Sequence, residues 1–219
     1  MTLNLNIKAD RKKAFRDAYW GDHGFLRTHF RNKHEIGGGM FRENQPNPSR
    51  ISRWAEEGIK TVINLRGESE KGFYRLEREA CDANGLALWN FRMHSRDTHT
   101  VTKIKAARSL FEMIEYPAVM HCKSGADRTG IMGVLFKHFK MGEPIEKAID
   151  QLSFRYMHVK HGKTGMLDFF FEEYLSYSAK QPIEFIKWVE TVYDPADVKA
   201  RFMAGKVASF VTDTVLRRE

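Results

Sequence analysis

Apolar residues along this chain occur in two patterns: short unbroken runs, and stretches in which they recur every three or four positions. The first pattern suits buried strands and the second amphipathic helices. Residues 61–65, 86–93 and 117–120 read as strands. Between them, Pro48-Ser49 opens a helix with Ile51, Trp54 and Ile59 inward, and a charged helix over 69–83 closes at Asn84-Gly85. Val101, Ile104, Ala107, Phe111 and Ile114 mark a third helix that leads into the strand at 117, and Ile131 to Phe136 continue a fourth. Further on, Ile145, Ala148, Ile149 and Leu152 share one face behind Pro144, and Met166, Leu167, Phe170, Phe171 and Tyr174 share another. Strands joined by helices predict an α/β fold, with a central, mostly parallel sheet of four to five strands flanked by helices. In such a fold ligands bind at the carboxyl ends of the strands.

The 219 residues suit a single domain. It divides into a basic N-terminal extension (1–39), a core (40–178) and a C-terminal extension (179–219) of short helices starting at Pro182 and near Pro195. Gly37-Gly38-Gly39 is the expected hinge between the first two. In residues 9–36, Ala14, Phe15, Ala18 and Tyr19 fall on one helical face while Lys12, Lys13 and Arg16 lie elsewhere around the turn. A helix packed on the core is the expectation, because Trp20, Phe25, Leu26 and Phe30 need burial. A helix lying on an anionic membrane is the alternative. The net charge of +8 and pI near 9.4 suit an anionic partner without choosing one. Two cysteines are too few for a disulfide framework, no run has the length of a membrane span, and Met1 to Lys8 lack the apolar core of a signal peptide. The expected location is cytoplasmic.

The chemistry concentrates in His121-Cys122-Lys123-Ser124-Gly125-Ala126-Asp127-Arg128-Thr129-Gly130, which joins the strand at 117 to the helix at 131. Unpaired N–H groups at a helix start converge on one point and attract an anion. A cysteine there is favoured as thiolate, so one set of dipoles activates the nucleophile and holds a phosphate against it. Arg128, six residues after Cys122, can pair bidentately with two phosphate oxygens. Gly125 suits the tight turn, and Thr129 places a hydroxyl near the sulfur. Lys123, Ser124, Ala126 and Asp127 complete the cradle.

His-Cys, five residues, then Arg-Thr-Gly resembles the signature of the cysteine-dependent protein tyrosine phosphatase superfamily. Phe41 to Pro46 and Val62 to Arg66 look like the opening of its small bacterial, dual-specificity-like members. The resemblance implies a phosphotyrosine phosphatase-like fold and hydrolysis through a phosphocysteine on Cys122. It also requires a general acid, with two candidates. Asp97 occupies the topological place of the family's mobile acid loop, 25 residues before Cys122. Asp127 lies inside the motif, as in myotubularin-like lipid phosphatases. Of the two, Asp97 is the first expectation. A phosphorylated protein is the default substrate, a phospholipid or inositol phosphate the alternative, and a non-catalytic phosphate-binding module a third reading. Nucleic acid is not an expected partner.

No metal or cofactor is expected, since His94, His99, His158 and His161 are not at ligand spacing with any cysteine or carboxylate cluster. The basic loop from Arg155 to Lys163 would lie near the pocket rim. His121 is expected to hydrogen-bond the loop backbone from behind. Cys81 is expected to be a buried helix residue, with a reversible Cys81–Cys122 disulfide as an open alternative.

Overall fold

The structure, a computed structural model, describes residues 3–216; the first two residues of the N-terminal extension and the last three of the C-terminal one lie outside it. Five strands form one sheet in the order β1-β2-β5-β3-β4. They are β1 (His34–Gly37), β2 (Met40–Asn44), β3 (Thr61–Asn64), β4 (Ala87–Asn90) and β5 (Ala118–Cys122). Only β1 runs antiparallel to its neighbour; the other pairings are parallel. Helices α3 (Pro48–Glu56) and α4 (Gly72–Ala83) lie in the connections from β2 to β3 and from β3 to β4, and α5 (Val101–Met113) precedes β5. The helix α6 (Asp127–Phe139) follows it, and α7 (Ile145–Ala148), α8 (Met166–Ser178), α9 (Phe185–Thr191) and α10 (Pro195–Leu216) complete the chain.

Alternation along the central strand sorts the core into two layers. Met120 and Cys122 of β5 pack with α5, α6 and α8, whereas Val119 packs with Ile51, Trp54 and Cys81 of α3 and α4. Every residue of β3 and β5 is buried, as expected for parallel strands covered on both sides. Behind α8, rings of Phe170, Phe171, Tyr174, Phe185 and Trp188 meet at centroid distances from 4.8 to 6.3 Å. The C-terminal helices therefore extend the core.

Three expectations change. Gly37-Gly38-Gly39 is not a hinge: all three glycines have positive φ and turn β1 back on β2 as a hairpin, so the sheet begins inside the supposed extension. The strand expected over 86–93 is regular only over Ala87–Asn90, although Phe91 and Met93 still donate to the Asn64 and Leu65 carbonyl oxygens at 3.0 and 3.1 Å. The third change concerns the N-terminal segment. Its helix α1 (Lys8–Arg16) does pack on α4: Arg11 binds Glu79 bidentately at 2.9 and 2.6 Å, and Ala14 sits against Gly72 so closely that a Cβ there would lie 2.3 Å from the Ala14 carbonyl oxygen. Yet after a π-helical turn (Asp17–Gly21) and α2 (Gly24–His29), the large apolar residues stay in solvent: Trp20 is 64% exposed, Leu26 60% and Phe30 48%. Among the described residues no helix is long and apolar enough to cross a membrane.

Candidate active site

β5 delivers Cys122, 1% exposed, to the carboxyl edge of the sheet, and the chain then wraps through Lys123 to Ala126 before α6 begins at Asp127. Gly125 is required twice over. Its φ is +74°, and a Cβ would meet the Glu43 and Asn44 backbone of β2 at 2.9–3.0 Å. The Thr129 hydroxyl lies 4.0 Å from the Cys122 sulfur. Among the described residues the N–H groups of Ser124 and Gly125 bond no acceptor, and the first-turn N–H groups of α6 have none within the helix. Arg128 makes no hydrogen bond or ion pair there either, and its Nε is buried without a partner. The sulfur thus shares its loop with unpaired N–H donors and a guanidinium that suit an anion.

What holds this loop from behind is Arg42 of β2, a residue the sequence reading did not single out. It is fully buried. Its Nη2 donates to the carbonyl oxygens of Gly125 and Ala126, each at 2.9 Å, and to the Thr129 hydroxyl at 3.3 Å. Nη1 donates to the Gln151 backbone and side-chain oxygens at 2.8 and 3.0 Å, and the guanidinium stacks 4.1 Å from the Tyr156 ring centroid. Burial pushes the Arg42 pKa down to about 10, and the first influence opposing that shift is the neighbouring Cys122. A buried cation without a carboxylate in contact therefore faces the nucleophile. Arg42→Met removes five hydrogen bonds, among them those to the buried Gly125 and Gln151 carbonyl oxygens, while Ala126 keeps the bond from the Gly130 N–H. The substitution should cost about 3 kcal/mol or more, read from the urea midpoint. An unchanged midpoint would show that the loop keeps its shape alone.

On the other face of β5, His121 corrects the expectation. It bonds not the loop backbone but Glu77 of α4, at 2.6 Å with both side chains fully buried. Glu77 also accepts from Gln45, Gln45 accepts from Arg66, and Arg66 binds both oxygens of Asp22 at 2.6 and 2.8 Å. Burial works to raise the Asp22 carboxyl, but Arg66 and Arg27 hold it below the usual carboxylate range. Lys123 reaches the same segment, 3.2 Å from His23 Nδ1 and 3.8 Å from Asp22. Asn32 Nδ2 donates to the carbonyl oxygens of Ser124 and Tyr156 at 3.1 and 3.0 Å. The N-terminal segment is thus part of the loop's framework.

The two acid candidates have different settings. Asp97, on the loop after β4, caps Thr98 N–H and pairs with Lys199 of α10 at 2.9 Å; that contact holds its carboxyl below the ordinary range. It is not among the partners of the phosphate loop. Asp127 accepts from His158 Nδ1 at 2.9 Å, and His158 Nε2 donates to buried Asp168 at 2.7 Å. Burial alone would lower the His158 pKa, but the two carboxylates outweigh it and raise it to about 9. The disulfide alternative fails on geometry. Cys81 and Cys122 belong to the layers on opposite sides of the sheet, both are free, and burial pushes the Cys81 thiol up to about 12.

Arg42, Glu77, Asn32, His158 and Asp168 were not read from sequence as a framework. The available signal was Arg42-Glu43-Asn44-Gln45, four consecutive polar residues that begin inside β2 and run past its end. Such a run at a buried strand end has to be satisfied by nearby loops.

A family model described as DSP-PTPase phosphatase fused to NAD+ kinase matches residues 32–166. No curated protein matches the chain. Among solved structures, TpbA of P. aeruginosa is similar at 15% identity and a TM-score of 0.52, over 65% of this chain and 84% of that one. Tk-PTP in its active form is similar at 17% identity and a TM-score of 0.51, over 65% and 97%. These likenesses concern the fold. The match of the family model extends from Asn32, which braces the phosphate loop, through that loop to Met166, and on it the chain belongs to the DSP-PTPase phosphatase family of that description.

Proposed function

We propose that the protein hydrolyses phosphate monoesters through a phosphocysteine on Cys122. The observation that carries this reading is a buried sulfur at the base of a loop in which the Ser124 and Gly125 N–H groups and Arg128 are unpartnered among the described residues. The thiolate attacks phosphorus; the S–P bond forms as the P–O bond to the leaving group breaks. Arg128 and the loop amides hold the equatorial oxygens. The proton held on His158 Nδ1 passes to Asp127 through their hydrogen bond, and the Asp127 carboxyl delivers it to the leaving oxygen. Water then attacks the phosphocysteine, its proton returning to Asp127 and His158. The S–P bond breaks, and Thr129 steadies the departing thiolate. Asp127 is favoured over Asp97 because it is bonded into the loop's own surroundings.

A generic aryl phosphate should be turned over without added metal and undiminished by a chelator, with vanadate inhibiting, since the cradle supplies its own positive charge. A strict requirement for a divalent cation in that assay would overturn the mechanism. A phosphorylated tyrosine, with phosphoserine and phosphothreonine in the dual-specificity case, is the default substrate. A phospholipid or inositol phosphate is the second reading, favoured by the exposed apolar and basic residues beside the loop.

A further inference from the structure

Two groups of exposed apolar residues flank the phosphate loop, and each is tied to it. On one side the rings of Trp20 and Phe25 lie 5.5 Å apart and those of Phe25 and His23 6.2 Å apart, while His23 meets the Lys123 ammonium at 3.2 Å. On the other side, the Asn32 side chain bridges the Ser124 and Tyr156 carbonyls, which fixes Phe30 and Arg31 within two residues of one end and Phe154, Arg155 and Met157 within two residues of the other. Phe154 is 81% exposed, Trp20 64% and Met157 47%. Isolated exposed apolar residues need no explanation, but large ones gathered around a catalytic mouth do.

Their charge setting selects the partner. Arg31, Arg155 and Lys163 are exposed beside them, and no acidic residue occurs between Asp150 and Asp168. Lys123, 41% exposed, reaches the first group through His23 and Asp22. Tryptophan and phenylalanine projecting among arginines suit the boundary between lipid headgroups and acyl chains, where rings enter the apolar layer and cations meet phosphates. A peptide would instead need a groove or a free strand edge to receive it. A groove does lie beside this segment, lined by Phe15, Ala18, Phe73 and Leu76, but Trp20 and Phe154 lie outside it and project into solvent.

We propose that this rim docks the enzyme on an anionic membrane surface, bringing the phosphate loop to a phosphomonoester in a lipid headgroup. The proposal rests on the phosphatase reading for what happens after docking, but docking itself does not require turnover.

The test uses the full chain carrying Cys122→Ser, sedimented with vesicles of phosphatidylcholine alone or mixed with an anionic phospholipid. Anionic vesicles should bind about tenfold more protein, and added salt should reverse most of the gain. Trp20→Ser with Phe154→Ser should lower binding at least about tenfold, since even partial burial of two rings exceeds that. Arg31→Gln with Arg155→Gln should remove the preference for anionic lipid. Circular dichroism checks that each variant is folded, which their exposure favours. Equal binding to both vesicle types, or full binding by the ring variant, would overturn the proposal. So would absence of vesicle binding together with loss of a tyrosine-phosphorylated peptide's binding in the ring variant, which would assign the rim to a protein partner. A failure of docking leaves aryl phosphate turnover standing, whereas docking by a protein that turns over no aryl phosphate would remove only the phosphatase reading.

Discussion

Cys122→Ser should lose turnover of an aryl phosphate by at least about 10⁴-fold while still binding inorganic phosphate or vanadate. The reason is that the variant removes the nucleophile and leaves the anion-binding groups in place. The loop's shape does not depend on the sulfur: it is set by Gly125, by the five hydrogen bonds of Arg42 and by the Asn32 bridge. Arg128→Lys should differ in kind. Because the guanidinium has no protein partner among the described residues, the substitution costs little in folding. It replaces a planar fork by a point charge, however, and should lose about 10²- to 10³-fold in turnover together with most phosphate affinity. Rapid-quench trapping of a covalent phosphoenzyme, present in the wild type and absent from Cys122→Ser, checks the intermediate. Normal turnover by Cys122→Ser would refute the covalent route.

The contrast between those two residues and Arg42 shows what was legible in the sequence. Cys122, Gly125, Arg128 and Thr129 lie within eight residues, so their mutual geometry follows from one strand, one turn and one helix start. Local periodicity likewise located β3, β5 and the helices around them. Arg42 is 80 residues from Cys122 in the chain, and it meets the loop only because β2 and β5 pair in register, Asn44 opposite Cys122. His158 meets Asp127, and Asp168 of α8 meets His158, only after the chain beyond α7 returns to the start of α6. Such contacts depend on tertiary closure and leave no spacing to read. The edge strand β1 was missed for a different reason. Three successive glycines serve equally as a hinge or as a tight reversal, and only the pairing of His34 with Arg42 shows which. The N-terminal apolar residues depart from expectation in the opposite direction: their size predicts burial for Trp20, Leu26 and Phe30, and the structure leaves all three exposed.

The identity of the acid should emerge from leaving-group dependence combined with pH. Aryl phosphates with a good leaving group scarcely need protonation, whereas poor leaving groups do, so removing the true acid gives a defect confined to the second kind. Asp127→Asn should lose about 10²-fold or more on a poor leaving group and far less on a good one. His158 adds a signature that Asp97 cannot produce. With its pKa raised to about 9, the imidazolium supplies the proton through neutral pH, and turnover of a poor leaving group should fall as pH rises through about 9. That alkaline limb should vanish in Asp127→Asn and in His158→Gln. The same shift gives a stability check. A histidine whose folded pKa lies above its ordinary 6.5 contributes stability that is full below that value and is lost as pH rises through about 9. The Tm of the wild type should therefore fall over that interval relative to His158→Gln. Asp97, with its carboxyl held low by Lys199, would instead act through a scarce protonated form, and its limb would lie on the acidic side. If Asp97→Asn shows the leaving-group-dependent loss and Asp127→Asn affects both substrates alike, the acid role passes to Asp97 and His158 is left to shape the loop.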